Sequence, residues 1–280
     1  MFSKQGAFVA VMLMLASLAC LVSDVKDAVE TINKGVQLLQ EIDESGTWKY
    51  ISEGMDGLNN ANGYAAAVTV TRGTTNDAGD TITSVTEMLV WNIRTDADDD
   101  SMIEVIRDGE TRSYLIVDDQ AYRIEDGRYF CLQSGQNEEE IFAVGVDGVF
   151  FKYSAESAGV QVMSVAESAG SETVNGFDTE KYTLISKLQE ALDILKEFPS
   201  EELKQEIADV PPFYINGALN VDKTTRALIR FDAQYANLDK KEGNAFRFEV
   251  TELGNQPDFT APEPGQISQA CTQPVPTPGG

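Results

Sequence analysis

The segment Ser186–Val210, SKLQEALDILKEFPSEELKQEIADV, decides how the rest of the chain is read. Ser186 stands where a helix N-cap belongs, and Gln189 three residues on completes a capping-box pattern. Leu188, Leu192, Leu195 and Phe198 recur at helical spacing, with Gln189, Glu190, Asp193, Lys196 and Glu197 on the other faces. Pro199 ends this helix. Ser200 can cap a second one, with apolar positions at Leu203, Ile207 and Val210, before Pro211-Pro212 stops it. Both flanks read as strands, so an amphipathic helix pair set between them is expected to bury its apolar stripe against a sheet.

Outward from that insertion, strands are expected at Tyr64–Thr71, Thr81–Arg94, Met102–Arg107, Thr111–Val117, Gln120–Ile124 and Arg128–Leu132. Asp108-Gly109, Asp118-Asp119 and Asp126-Gly127 punctuate the later ones, which is the pattern of an antiparallel meander of hairpins. Leu89, Trp91 and Ile93 alternate onto one face, as do Tyr114 and Ile116, so one face of the sheet needs a cover. Ile141–Tyr153 is apolar and aromatic but interrupted by Gly145 and Gly148, and reads as helix or strand. Two helices precede the strands. One runs over Ser23–Ile42, with Val25, Val29, Ile32, Val36, Leu39 and Ile42 in phase, and is either packed on the domain or a stalk. The other covers Trp48–Leu58.

The chain of 280 residues carries 21 basic and 46 acidic side chains, a formal net charge of −25, and no histidine. There is no basic surplus to displace counterions from phosphates, which argues against nucleic acid as a partner. Histidine triads, His-ligated metals and imidazole switches are excluded. No nucleophile elbow, Walker loop, Cys-x-x-Cys pair or dinucleotide fingerprint occurs, so neither enzymatic activity nor a cofactor is expected. Asp96, Asp98 and Asp100 alternate like the start of a calcium loop. Ser101 at the sixth position and Arg107 at the twelfth break that pattern, and no metal site is expected.

Residues 1–19 read as an export signal: Lys4, then the apolar run Ala7–Leu18, then Ala19 before Cys20. The run is short for a membrane span, which needs about 20 apolar residues. Cys20 looks like the lipidated cysteine of a bacterial lipoprotein, although Ser17 occupies the usual leucine position. Ser17 and Ala19 equally suit ordinary signal peptidase at the same bond. With Cys20 set aside, Cys131 and Cys271 remain, either as a disulfide suited to an oxidising space or as a buried thiol and a tail thiol. Residues 20–47 form a membrane-proximal helix and linker, residues 48–265 the body, and residues 266–280 a Pro-rich tail expected to be disordered.

Three further stretches carry a resemblance. Gly176, Thr179 and Tyr182 form a G-x-x-T-x-x-Y hairpin ahead of the helical insertion. Gly217, Leu219, Val221 and Asp222 form a G-x-L-x-V-D hairpin after it, and a last strand leads to Ala261-Pro262. In this order they resemble the LolA/LolB lipoprotein-carrier superfamily and, more closely, the LppX/LprG-type lipoproteins. The resemblance covers roughly residues 48–265 and implies an α+β fold, a curved antiparallel β half-barrel (a meander) with helices covering its concave face. It further implies a cavity for acyl chains, and no catalytic residue carries over.

Trp91, Tyr114 and Phe151 on the sheet side, with Leu188, Leu192, Leu195, Phe198, Leu203 and Ile207 on the helices, are the expected lining of a lipid cavity. The resulting expectation is an exported lipoprotein, tethered through Cys20 outside the cytoplasmic membrane in a periplasm or at a cell surface, that binds or carries lipid. A structural or sensory envelope module of the same fold with a protein partner is the alternative.

Overall fold

In a computed structural model, residues 25–98, 100–118, 120–132, 164–197, 201–208, 213–254 and 256–269 are described. Helix α1 (Val25–Ser45) turns at Gly46 into α2 (Thr47–Asn59). Six strands follow: β1 (Tyr64–Thr75), β2 (Ile82–Thr95), β3 (Ser101–Arg107), β4 (Glu110–Val117), β5 (Gln120–Glu125) and β6 (Arg128–Cys131). After β7 (Ser164–Val174) and β8 (Phe177–Ser186) come the short helices α3 (Leu188–Lys196) and α4 (Glu201–Ala208). The chain then returns through β9 (Phe213–Asp222), β10 (Leu228–Asn237), β11 (Glu242–Leu253) and, past a 3₁₀ turn at Pro264–Gln266, β12 (Ile267–Gln269).

Among the described residues these strands make one open sheet of order β12-β6-β5-β4-β3-β2-β1-β11-β10-β9-β8-β7. It consists of two meanders joined where β1 pairs with β11, and every pairing is antiparallel except β12 on β6. The expected hairpin punctuation is present. Asp108-Gly109 and Asp126-Gly127 both sit at positive φ, the type I′ geometry that suits the twist of two-residue hairpins. Strand β12 lies within the stretch that composition assigns to the tail, and extends the sheet beyond residue 265.

Period-two alternation builds the core. Tyr182, Leu219, Phe231, Phe248, Val68, Trp91 and Val105 stand opposite one another in successive strands from β8 to β3. All are buried, and Leu219, Phe231, Phe248 and Val68 have no exposed surface at all. Helix α2 packs on this sheet at β10 and β7. Ile51 and Leu58 are 1% exposed, and Tyr50 stacks on Tyr182 with centroids 4.4 Å apart. The glycines of α2 set the approach: a Cβ on Gly54 would come within 2.7 Å of Leu228 Cβ, and one on Gly57 within 2.7 Å of Ala227 Cα. The helix therefore meets strand β10 and the turn before it nearly backbone to backbone.

This corrects the expectation for Ser186–Val210. The helix seated on the sheet core is α2, whereas α3 packs on α1 and α4. Its buried residue is Ile194, which joins Leu38 of α1, with Ile32, Leu39, Ile42, Ala191 and Leu195 partly buried around them. The capping box is also absent: Ser186 Oγ accepts from Leu188 N at 3.3 Å, but Gln189 donates forward to Asp193. Helix α1 is packed on the domain rather than standing off as a stalk. At its end, Gly46 bridges Val165, and Thr47 and Ser164 share a buried 2.7 Å hydroxyl hydrogen bond.

The opposite face of β4–β6 holds a separate cluster of Leu115, Val117, Tyr122 and Cys131, with Phe259 and Ile267 of the C-terminal segment partly buried against it. Asp96 ties that segment down. Its buried carboxylate accepts Phe259 N at 2.8 Å, as well as Asp98 N and Asp100 N of its own loop.

Candidate functional site

Two of the expected cavity residues, Trp91 on β2 and Tyr114 on β4, are 2% and 6% exposed and belong to the main core. Leu195 belongs instead to the α1–α3 cluster, Leu188 and Leu192 are half-buried on α3, and Ile207 is buried on α4. Phe151, Phe198, the Leu203 side chain, Cys20 and Cys271 lie outside the described residues. Trp91 and Tyr114 of the sheet and Leu195 of α3 thus belong to different apolar clusters. Among the described residues, a layer of helices with its own apolar seam accompanies a sheet with its own core.

The seam is flanked by charge. A groove of about 550 Å³ runs between α1 and α3, with Leu38 and Ile194 in it and Glu41, Glu190, Asp193 and Glu197 along it. Lys187 reaches Glu41 at 2.7 Å and Glu190 at 3.3 Å, while Lys34 reaches Glu197 at 2.8 Å. The hydrogen bond to Glu41 holds the Lys187 pKa above its ordinary value, and the bond to Glu197 does the same for Lys34. Ile194, Leu38 and Lys187 are absent from the expected site. The helical spacing of Ala191, Ile194 and Leu195 was the available signal for the first.

Six of the residues that carry the family resemblance have structural work. Asn175-Gly176, both at positive φ, turn β7 into β8. Thr179 is fully buried, donates to Glu172 O at 2.7 Å and accepts from Asn220 Nδ2 at 3.0 Å. Tyr182 stacks on Tyr50, and burial pushes its pKa up to about 12. Leu219 and Val221 are core, and Asp222 Oδ2 closes the β9–β10 turn by accepting from Thr224 N, Thr225 N and Thr225 Oγ1. Those motifs mark the fold rather than a chemical site.

Glu249 is a firmly held acid on the solvent side of the sheet. Burial works against its charge, but Arg230 at 2.9 Å and Asn175 at 2.7 Å outweigh that and hold its pKa below the ordinary value. Among the described residues no group of three or more Cys, His, Asp or Glu is placed to hold a metal ion, and no helix is long and apolar enough to cross a membrane.

No family model matches the chain, and no curated protein matches it by sequence. Solved structures do match. LprF from Mycobacterium bovis is 12% identical over 79% of this chain and 99% of its own, with a TM-score of 0.41. MucB in the MucA/MucB complex of Pseudomonas aeruginosa is 13% identical over 79% of this chain, which spans 59% of that one, with a TM-score of 0.32. A LolA superfamily protein from Nitrosomonas europaea is 8% identical over 76% of this chain and 95% of its own, with a TM-score of 0.26. The structural neighbours of this chain thus include LprF and a LolA superfamily protein.

Proposed function

We propose that this chain is an exported, membrane-tethered and non-enzymatic protein that binds or carries the acyl chains of a lipid between its sheet and its helices. The observation that supports it is the separation of two apolar layers. The main core and the α1–α3 seam are distinct clusters, so sheet and helices each offer apolar surface of the kind that lines a lipid pocket. Native mass spectrometry of protein purified without detergent tests the reading. Co-purified acyl lipid is the expected result. A clean apo mass together with no uptake of a fluorescent fatty acid rejects it.

Tethering runs through Cys20, five residues before α1 begins at Val25. Cys20→Ser is expected to shift the protein from the membrane fraction to the soluble one, and unchanged membrane association argues for an uncut anchor. Cys131 and Cys271 form a disulfide in this reading. Strand β12 runs along β6 with Gln269 beside Phe130, which brings the chain toward Cys131 two residues short of Cys271. Non-reducing peptide mapping is expected to recover the pair joined, and two free thiols end the claim.

A specific observation also favours the filled core of the alternative, a structural or sensory module. Val68, Leu219, Phe231 and Phe248 have no exposed surface, so they line no space that even water can enter. Any acyl site therefore lies outside the part of the sheet under α2.

A further inference from the structure

The solvent-facing side of the central strands holds a trough of about 640 Å³. Alternation puts Thr69 and Thr71 of β1, Ala245 of β11, Ala218 and Asn216 of β9 and Thr183 of β8 on the face opposite the core. Ala245 lies mid-floor, opposite Thr71 on one side and Gln234 on the other. One end is walled by the β1–β2 loop, which folds onto β10 where Gln234 Nε2 donates to Gly79 O at 3.0 Å. The Arg247–Asp232 ion pair borders the lining, and Met88, 51% exposed, contributes an apolar rim.

Gln234, Asp232 and Arg247 are bonded here as polar groups are elsewhere on this face, but half-buried Thr69 and Thr71 and exposed Thr183 and Asn216 are used differently. Nearby, Arg230 is bonded to Glu249, Lys181 to Glu172 at 2.7 Å, and Asn220 to Thr179. Within the trough, Thr69, Thr71, Thr183 and Asn216 have no side-chain hydrogen bond among the described residues. Short side chains leave the floor bare where long paired ones cover it elsewhere. The floor strands are central, so their backbone groups are committed to ladder hydrogen bonds and offer nothing to an added peptide strand. An acyl chain finds a floor of hydroxyls and amides. An anionic ligand meets a protein of net charge −25 and an arginine already paired.

We infer that this trough binds an uncharged oligosaccharide. Three hydroxyls and two amides supply mixed donors and acceptors for sugar hydroxyls, and Met88 offers an apolar surface to the C–H side of a ring. The volume falls in the range of about 300–1,000 Å³ common to small-ligand sites. The inference is independent of the lipid reading, since it concerns the other face of the sheet.

The test is an NMR titration of the full chain with maltotriose, mannotriose and triacetylchitotriose at millimolar concentration. Amides of Thr69, Thr71, Thr183 and Asn216 and the Met88 methyl are expected to shift saturably with at least one of the three. Asn216→Ala is expected to weaken that binding about fivefold, the loss of one hydrogen bond of about 1 kcal/mol. Ala245→Trp fills the floor and is expected to abolish it; if that variant does not fold, Thr71→Arg serves the same purpose. No shift with any of the three sugars overturns the inference. So do shifts away from the trough, or binding that survives in a folded floor-filling variant.

Discussion

Helices α2 and α3 are both short and amphipathic, yet they are held in different ways. Helix α2 meets the sheet side at two glycines and buries Ile51 and Leu58 to 1% exposure against strands that have none to spare. Helix α3 meets α1 through one seam around Ile194, 8% exposed, and its lysine–carboxylate pairs lie in partly exposed positions. Close-packed burial is worth several kcal/mol per large side chain, whereas exposed ion pairs are worth about 0–1 kcal/mol. The comparison separates a fixed layer from one that can open at low cost.

The largest expected effect is therefore in the fixed layer. Leu58→Ala should lower global stability by about 2–5 kcal/mol in chemical denaturation, because the dry contact around it has little freedom to collapse. Ile194→Ala should cost less, about 1–2 kcal/mol, because the thin seam can relax. Its clearer signature is local: faster amide exchange in α3 with the sheet unchanged. Equal global losses in the two variants would break the contrast.

A smaller effect isolates the charged flank of the seam. Lys187, with 17% of its side chain exposed, bonds Glu41 and Glu190, and its pKa is raised in the folded state. A raised lysine pKa contributes stability that is complete below the unfolded value and is lost as pH rises through the folded one. Lys187→Met should therefore cost about 1 kcal/mol at neutral pH, and the deficit should begin to shrink above the ordinary lysine value of 10.5 and vanish once the pH passes the raised folded value. A deficit that persists unchanged at high pH would show that the charge of Lys187 is not the source of the stabilisation.

Local chemistry made much of this fold legible. Asp-Gly turns, two-residue alternation and the helical spacing of Trp48–Leu58 are written in neighbouring residues, and all three appear in the structure. Partner choice was not legible. The stripe of Leu188, Leu192 and Leu195 indicates a buried face, but whether it meets a sheet or another helix depends on α1, which lies about 150 residues earlier in the chain. The sequence stripe also passed over Ile194, the residue buried deepest in α3. Gly54 and Gly57 read as weak points of a helix until strand β10 is placed beside them. Trp91 and Tyr114 were identified as apolar face residues correctly, and their place in the main core follows from registers that only the assembled sheet fixes.

The smallest expected effect on folding gives the sharpest test of the contrast. Leu192 is half-buried on α3, beside a seam that water can approach. An amide placed there by Leu192→Gln remains partly solvated, so the full penalty of about 1–3 kcal/mol for an unpaired buried polar group does not apply. The expected loss of stability is close to that of the exposed control Glu190→Gln, within about 1 kcal/mol. Acyl uptake is expected to behave differently. If an acyl chain occupies space bordered by α3, a polar group at Leu192 meets the guest directly and weakens its binding while the protein stays folded. A large melting shift with unchanged fatty-acid uptake reverses the assignment: Leu192 would then belong to a closed core, and α3 would be as fixed as α2.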